Sequence, residues 1–508
     1  MTTKSQIENT LWRACDTFRG TLNSSVYKDY LLVLLFVKYL SDSYEEKTKE
    51  LEAKYAGDVE RIERALARER FVLDEKSHFR YLYEMRNSGN IGELINKALE
   101  KIEEDNKGKL RGVFRAIDFN SAINFTDDKQ KNAVLKTLLN DFNGLELSPN
   151  KLESKDIIGD AYEYMISRFA GDAGQKGGEF FTPSQVSELL ARLLEPKEND
   201  RIYDPTAGSG SLLLKAFKKV PNGKAQIYGQ ELNSQTHSLC RMNMFLHGVD
   251  DAIIYKGDTL SNPQNIENDR LMKYQVICAN PPFSLDKWAK GFAGEGVNDK
   301  EFKMEANYDK YKRFDLGVPP SSKGDYAFIL HMLSSLDEYN GRMAVVMPHG
   351  VLFRGASEGR IREELVRLNL LDAVIGLPAN LFYGTGIPAC ILVFKKNRTA
   401  NDVLFIDASG EGNYEKSKNQ NILREQDLKK IVDTYKARVE VDRYSFKASK
   451  ELIAENGYNL NIPRYVDTFV EEELIDIEAV NKEIADLKVQ IADVEVEMEK
   501  YLKELGVK

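Results

Sequence analysis

From about Lys155 onward the chain alternates short apolar runs with helical stretches, and no other feature restricts its fold as much. The runs are Arg201–Asp204, Gln226–Glu231, Ile253–Tyr255, Gln275–Ala279, Met343–Met347, Ala373–Gly376 and Ala389–Phe394. Apolar runs this short read as strands. Their alternation with helices predicts a mostly parallel, doubly wound sheet with helices on both faces.

The segment before it has a different texture. All 14 prolines lie at or after Pro149. Proline costs ~3 kcal/mol inside a helix, so residues 1–150 read as a helical domain, with Asp29–Tyr44 as a core helix. Residues 151–465 then form the sheet domain. Within it, Leu285–Lys323 is polar and carries Gly291, Gly294 and Gly296, which predicts a mobile functional loop. Residues 466–508 are a third texture. Ile477, Val480, Ile484, Leu487, Ile491, Val494, Met498, Tyr501 and Leu505 step alternately by three and four, the 3.5-residue period of a coiled-coil helix. Its apolar seam fits either a partner coil or the chain's own domain.

Several classes are excluded. The longest apolar run, Tyr30–Val37, falls far short of the ~20 residues of a membrane helix. The start, Met1-Thr-Thr-Lys-Ser5, has no apolar signal core, so a cytoplasmic protein with no membrane contact is expected. The four cysteines (Cys15, Cys240, Cys278, Cys390) form no C-x-x-C pair and the five histidines show no ligand spacing, so buried reduced thiols and no metal are expected. The net charge is 71 − 80 = −9. Proteins that grip DNA alone usually carry a basic excess, so a nucleic-acid substrate would need another chain to supply much of the grip.

Two glycines after the first run carry the cofactor argument. In Asp204, Pro205, Thr206, Ala207, Gly208, Ser209, Gly210, Ser211, the glycines permit a tight turn and close approach of a ligand. Glu231 ends the second run, 21 residues after Gly210, where a carboxylate can accept both ribose hydroxyls of an adenosine cofactor. Asp258 follows the third run and can accept from an adenine amino group. Alone, each acid reads equally as a turn former; in this order they read as a site. No G-x-x-x-x-G-K-[ST] loop occurs. An adenosine site without a phosphate cradle or metal ligands points to S-adenosylmethionine. Upstream, Thr182, Pro183 and Gln185 read as an N-cap, a first-turn proline and a capping box opening a helix to about Leu194.

Asn280-Pro281-Pro282-Phe283 follows the fourth run, 76 residues past Asp204. The adenine amino nitrogen shares its lone pair with the ring and is a poor nucleophile. The Asn280 side-chain oxygen and the Pro281 carbonyl can each take one amino hydrogen, localising the lone pair for in-line attack on a sulfonium methyl. Pro281 and Pro282 fix φ and remove competing donors. Phe283 offers a face for an extruded base.

With these motifs together, the chain resembles the methylation subunit of Type I restriction–modification systems, a gamma-class DNA adenine-N6 methyltransferase. The resemblance rests also on Leu11-Trp12-Arg13, Tyr27-Lys28 and Leu35–Asp42 in the helical region, and on Glu179-Phe180-Phe181-Thr182-Pro183-Ser184 preceding the glycine motif. Leu377-Pro378 and Phe382–Pro388 resemble later sheet loops. The resemblance implies that Glu179 to Ser184, Ser209 to Ser211 and Glu231 contact S-adenosylmethionine, with Asp258 near its adenine. It implies double-stranded DNA as substrate and a specificity subunit that reads the sequence, commonly joined by two methylation subunits, with restriction (motor and nuclease) subunits completing the complex. The acidic balance agrees, as do the fewer than 115 residues after the last run, which leave no room there for a sizeable base-reading domain. Two rivals stand beside it: an amino-methyltransferase acting on cytosine N4, RNA guanine or protein glutamine, and a catalytically silent scaffold.

Overall fold

Alternating side chains on the central strands bury both faces of one sheet, and this sets the architecture of the sheet region. A computed structural model describes the chain except residues 19–21, 23, 126, 155, 173–181, 294–301, 383–384, 418–419, 469–476 and 507–508. Among the described residues nine strands form the main sheet: β1 (Arg201–Asp204), β2 (Gln226–Glu231), β3 (Ile253–Lys256), β4 (Val276–Ala279), β5 (Arg342–Pro348), β6 (Leu371–Gly376), β7 (Ala389–Lys395), β8 (Asp402–Asp407) and β9 (Ser445–Ser449). Their order is β9-β8-β6-β7-β5-β4-β1-β2-β3. Five of the eight adjacencies are parallel. The other three are antiparallel, because β7 runs back between β5 and β6 and β9 returns beside β8. The sheet is therefore mostly parallel, as expected.

Period-two alternation divides the core. Ile202, Ile227, Val276, Cys278, Ala344 and Ile391 face one side, where the helices Ser184–Leu194, Ser211–Lys218 and Glu425–Ala437 cover them. Tyr203, Tyr228, Ile277, Met343, Leu392 and Phe405 face the other, under the helices Asp325–Ser335 and Ala356–Arg367. The last two strands were not anticipated. Ser445–Ser449 is an end strand that buries only Ser445 and Ala448, and Asp402–Asp407 is bounded by charge. The last strand thus ends at Ser449 rather than Phe394, leaving 508 − 449 = 59 residues beyond it.

The N-terminal region is helical, from Lys4–Phe18 through the 32-residue helix Ser24–Tyr55 to Asp128–Asn143. Every residue of Tyr30–Val37 is buried in its core. That core is continuous with the sheet region: Leu239, Met242, Phe245 and Leu246 of the helix Ser234–Leu246 belong to it. Phe245 packs against Phe36 and Phe71, with centroids 6.2 and 5.7 Å away. Arg70 donates to both Asp250 oxygens, which clamps the same junction.

The polar stretch 285–323 differs from expectation. Its described residues are anchored: Trp288 and Phe314 are buried with ring centroids 5.1 Å apart, and the Trp288 indole donates to the Pro320 carbonyl at 2.9 Å. Aromatic residues scattered among charges hold it down, so this part is scaffold rather than a mobile loop. Gly294 and Gly296 lie outside the described residues. All four cysteines are free and buried. No helix among the described residues is long and apolar enough to cross a membrane.

Residues 468–508 form a second compact unit. It contains the 28-residue helix Ile477–Glu504, none of whose residues is buried. Its whole heptad series is exposed.

Because one core serves both regions of the first unit, Phe245→Ala is expected to cost about 3–5 kcal/mol. Urea unfolding followed by circular dichroism will show a lowered midpoint for the sheet region as well as for the helical one. A change confined to the N-terminal helices contradicts the shared core.

Candidate active site

Strand order creates the site. The chain lays down β1, β2 and β3 outward in one direction and then places β4 on the opposite flank of β1. Such a switch point leaves a crevice at the carboxyl ends of the two strands, where ligands of open α/β sheets bind. Asp204 ends β1, Glu231 ends β2, Asp258 follows β3 and Asn280 follows β4, so the acids and the amide share one edge. Gly376, at the end of β6, points its loop toward the same edge.

Backbone donors organise the acids. Asp204 Oδ1 accepts from the Thr206 N–H at 2.9 Å and from the Thr206 hydroxyl at 3.3 Å. Burial, with a smaller contribution from the charge of Glu231, pushes its carboxyl up to about 7 despite those bonds. Glu231 accepts from the Gly208 N–H at 2.9 Å with one oxygen and from the Asn233 N–H at 2.8 Å with the other, and burial raises it too. Each Glu231 oxygen retains a lone pair for a further donor. Gly208 and Gly210 both take positive φ (54° and 79°), so the loop turns as the glycines predicted. A Cβ at Gly210 would meet Met244 and Cys240 within 3 Å, and the helix from Ser211 starts directly on it. The Ala207 N–H donates to the Gln230 carbonyl, and the Asn243 amide donates to the Ser209 carbonyl at 3.0 Å. Asp258 is both turn former and candidate ligand: it accepts from the Leu260 N–H and the Ser261 hydroxyl, and its side chain remains half-buried beside the crevice.

The tetrapeptide shows the clearest arrangement. Asn280 Nδ2 donates to the Thr182 hydroxyl at 3.2 Å, whereas Asn280 Oδ1 is buried without a partner. Pro281 is buried, Pro282 half-buried. Phe283 is half-buried and meets Phe382 edge-on, with centroids 5.9 Å apart. Thr182 corrects the sequence reading. The helix begins at Ser184 with Pro183 at its cap position and no side-chain cap bond, because the Thr182 hydroxyl is turned to Asn280 instead. Ser184, at the helix start, is exposed. Glu179, Phe180 and Phe181 lie outside the described residues.

The structure therefore joins Thr182 to Asn280, Asp204 to its own turn, and Glu231 to Gly208. Thr206, Asn243 and Phe382 were not singled out from the sequence. Thr206 stands inside the glycine motif and Phe382 inside a quoted loop, whereas Asn243 carries no signal beyond a buried polar residue on a helix. The donor set fits an adenosine carrying an amino acid tail: three carboxylates line the edge, and the buried Ser209 hydroxyl lacks a partner. The thiols of Cys240 and Cys278 are pushed far up by burial and are inert as nucleophiles.

The chain resembles known proteins along most of its length. Residues 153–474 match the family described as N-6 DNA methylase, and residues 7–142 match the HsdM N-terminal domain. The chain is 33% identical to the Type I restriction enzyme MpnII methylase subunit of Mycoplasma pneumoniae, over 99% of this chain and 97% of that one. It is 35% identical to the crystal structure of the type I restriction-modification system methyltransferase subunit from Streptococcus thermophilus, with TM-score 0.78, over 92% of this chain and 100% of that one. A chain from a structure of type I R-M complex assembly shares the fold at 20% identity and TM-score 0.62, over 98% of each chain.

The raised Asp204 carboxyl gives a signed pH effect. Unfolded, it titrates near 4; folded, near 7. Between these values the folded state holds the extra proton, so its contribution to stability is lost as pH rises toward 7. Compared with Asp204→Asn, the unliganded wild type is expected to lose on the order of 2 kcal/mol between pH 5 and pH 8 in urea titrations. A pH-independent difference contradicts the buried carboxyl.

Proposed function

The chain belongs to the methylase subunits of Type I restriction enzymes, within the N-6 DNA methylase family, and from that premise we propose how its own residues carry the reaction. It is a DNA adenine-N6 methyltransferase that uses S-adenosylmethionine. When bound, the cofactor supplies an electrophilic methyl carbon on a sulfonium. Glu231 accepts the ribose hydroxyls, Asp258 the adenine amino group, and Ala207 to Ser211 with Asp204 line the amino acid tail. Glu179, Phe180, Phe181, Pro183 and Ser184 complete the cofactor wall with Thr182.

One observation carries the catalytic assignment: Asn280 has its nitrogen occupied and its oxygen buried and unpartnered. Leaving a buried acceptor unmet costs roughly 1–3 kcal/mol, and an adenine amino hydrogen would meet it. The Pro281 carbonyl takes the second hydrogen. The two acceptors withdraw the nitrogen lone pair from the ring and aim it, so positioning and electrostatics supply the rate. The base must leave the duplex to reach this edge. Phe283, held edge-on by Phe382, offers it a stacking face, and Pro282 keeps the turn rigid. Cytosine N4, RNA guanine, protein glutamine and the silent scaffold are not favoured.

The protein works on DNA together with other restriction–modification subunits. Finer assignments are ours. Residues 1–150 form the helical domain, 151–465 the catalytic domain and 466–508 a docking helix; the two family matches meet between residues 142 and 153, which supports the first boundary. Two copies join one specificity subunit, which reads the double-stranded sequence, and restriction subunits add to that core. The acidic balance supports delegated reading. The exposed heptad helix supports docking by helix pairing.

Asn280→Ala is expected to lower methyl transfer by roughly 10²-fold or more while leaving S-adenosylmethionine binding within a factor of two or so. Tritiated methyl transfer with nucleoside analysis checks this, and label must appear as N6-methyladenine. Unchanged turnover, or label in protein or RNA, contradicts the assignment. Removal of residues 470–508 is expected to abolish co-purification with the specificity subunit; recovery at full stoichiometry contradicts the docking role.

A further inference from the structure

The polar stretch 285–323 contains a buried charge that the reaction as described does not use. Arg313 is 2% exposed, inside the core. All five guanidinium donors are satisfied. Nε donates to Asp309 Oδ2 at 3.0 Å and Nη2 to Asp309 Oδ1 at 2.8 Å. Nη1 donates to the Thr259 carbonyl at 3.2 Å and to His331 Nδ1 at 3.1 Å, and Nη2 also donates to the Leu260 carbonyl at 2.5 Å. Because His331 Nδ1 accepts, its Nε2 carries the proton and donates to the Tyr203 hydroxyl at 3.0 Å. Burial and the Arg313 charge push the imidazole far below its ordinary range, consistent with a neutral ring. One guanidinium thus ties this stretch to the helix Asp325–Ser335, to β1, and to the two residues that follow Asp258.

Those two residues set the Asp258 turn. Leu260 donates its N–H to Asp258, and the Thr259 hydroxyl donates to the Pro205 carbonyl in the glycine motif. A second part of the same stretch touches the carboxylate directly. A Cβ at Gly291 would lie 2.1 Å from the Ser261 hydroxyl and 3.3 Å from Asp258 Oδ2, so only glycine fits against the Ser261–Asp258 bond.

We infer that Arg313 and Gly291 set the cofactor's adenine site: Arg313 positions the turn that presents the Asp258 carboxylate, and Gly291 packs against it. Arg313 touches no ligand; it is a positioning residue. The inference rests on the reading of Asp258 as the acceptor for the adenine amino group. Lysine cannot replace the arginine, having three donors for five acceptors and no planar fork.

The test compares two ligands on the full-length protein by calorimetry: S-adenosylhomocysteine and its 6-oxo counterpart, S-inosylhomocysteine. The second presents an oxygen where the first presents an amino donor, so the wild type is expected to prefer the first about tenfold or more. Arg313→Lys and Gly291→Ala are each expected to reduce that ratio about fivefold or more. General loosening of the protein lowers both affinities and leaves the ratio in place. Should Arg313→Lys fail to fold, the charge-free pair Arg313→Met with Asp309→Leu replaces it, since removing both charges spares the burial of one unpaired. Asp258→Ala separates the two ideas. If it keeps the wild-type ratio, the Asp258 reading falls and this inference with it. If it loses the ratio while the Arg313 and Gly291 variants keep it, the inference alone is overturned.

Discussion

The chemistry proposed for this protein depends on a single side-chain amide. Asn280 sits at the carboxyl end of β4 with its nitrogen bonded to the Thr182 hydroxyl and its oxygen buried and unmet. An amide can present either end, and this one leaves its acceptor unmet, which suits an arriving donor. Buried polar groups are almost always paired, so an orphaned oxygen beside a switch point in the sheet marks a place where a ligand completes the structure. The proline pair behind it removes backbone donors that would otherwise compete for that oxygen.

Everything around the amide follows from strand order. Because β4 lies beside β1 rather than beside β3, the acids at the ends of β1 and β2 and the turn after β3 come to the same edge as Asn280. Backbone N–H groups hold Glu231 and Asp204 in place, so their orientation costs little when a ligand arrives. The helical region contributes at a distance. Its core runs into the helix Ser234–Leu246, whose Asn243 holds the Ser209 carbonyl of the cofactor loop. Cofactor loop, amide and helical region are parts of one packed unit.

The strand ends and the motifs on them were readable from residue order alone, because central strands buried on both faces give continuous apolar runs. β1 and β2 were placed to the residue. The end strand β9 was not, because it buries only Ser445 and Ala448 and its sequence, Ser445 to Ser449, is mostly polar. Thr182 looked like a helix cap because Thr-Pro at a helix start is ordinarily one; only the third dimension shows Asn280 competing for its hydroxyl. The stretch 285–323 misled for a related reason. Arg313 and Asp309 count as surface charge in any linear reading, and their burial depends on carbonyls of Thr259 and Leu260 some fifty residues earlier. Hydrophobic pattern is local information, whereas pairing of buried polar groups is not.

The most direct measurement is a crystal structure of the protein, in its complex with DNA, bound to a non-transferable cofactor analogue. The account predicts an extruded adenine whose amino nitrogen lies within hydrogen-bonding distance of both Asn280 Oδ1 and the Pro281 carbonyl, while Asn280 Nδ2 stays on the Thr182 hydroxyl. An amide turned end for end, or an adenine bound away from this edge of the sheet, would contradict it.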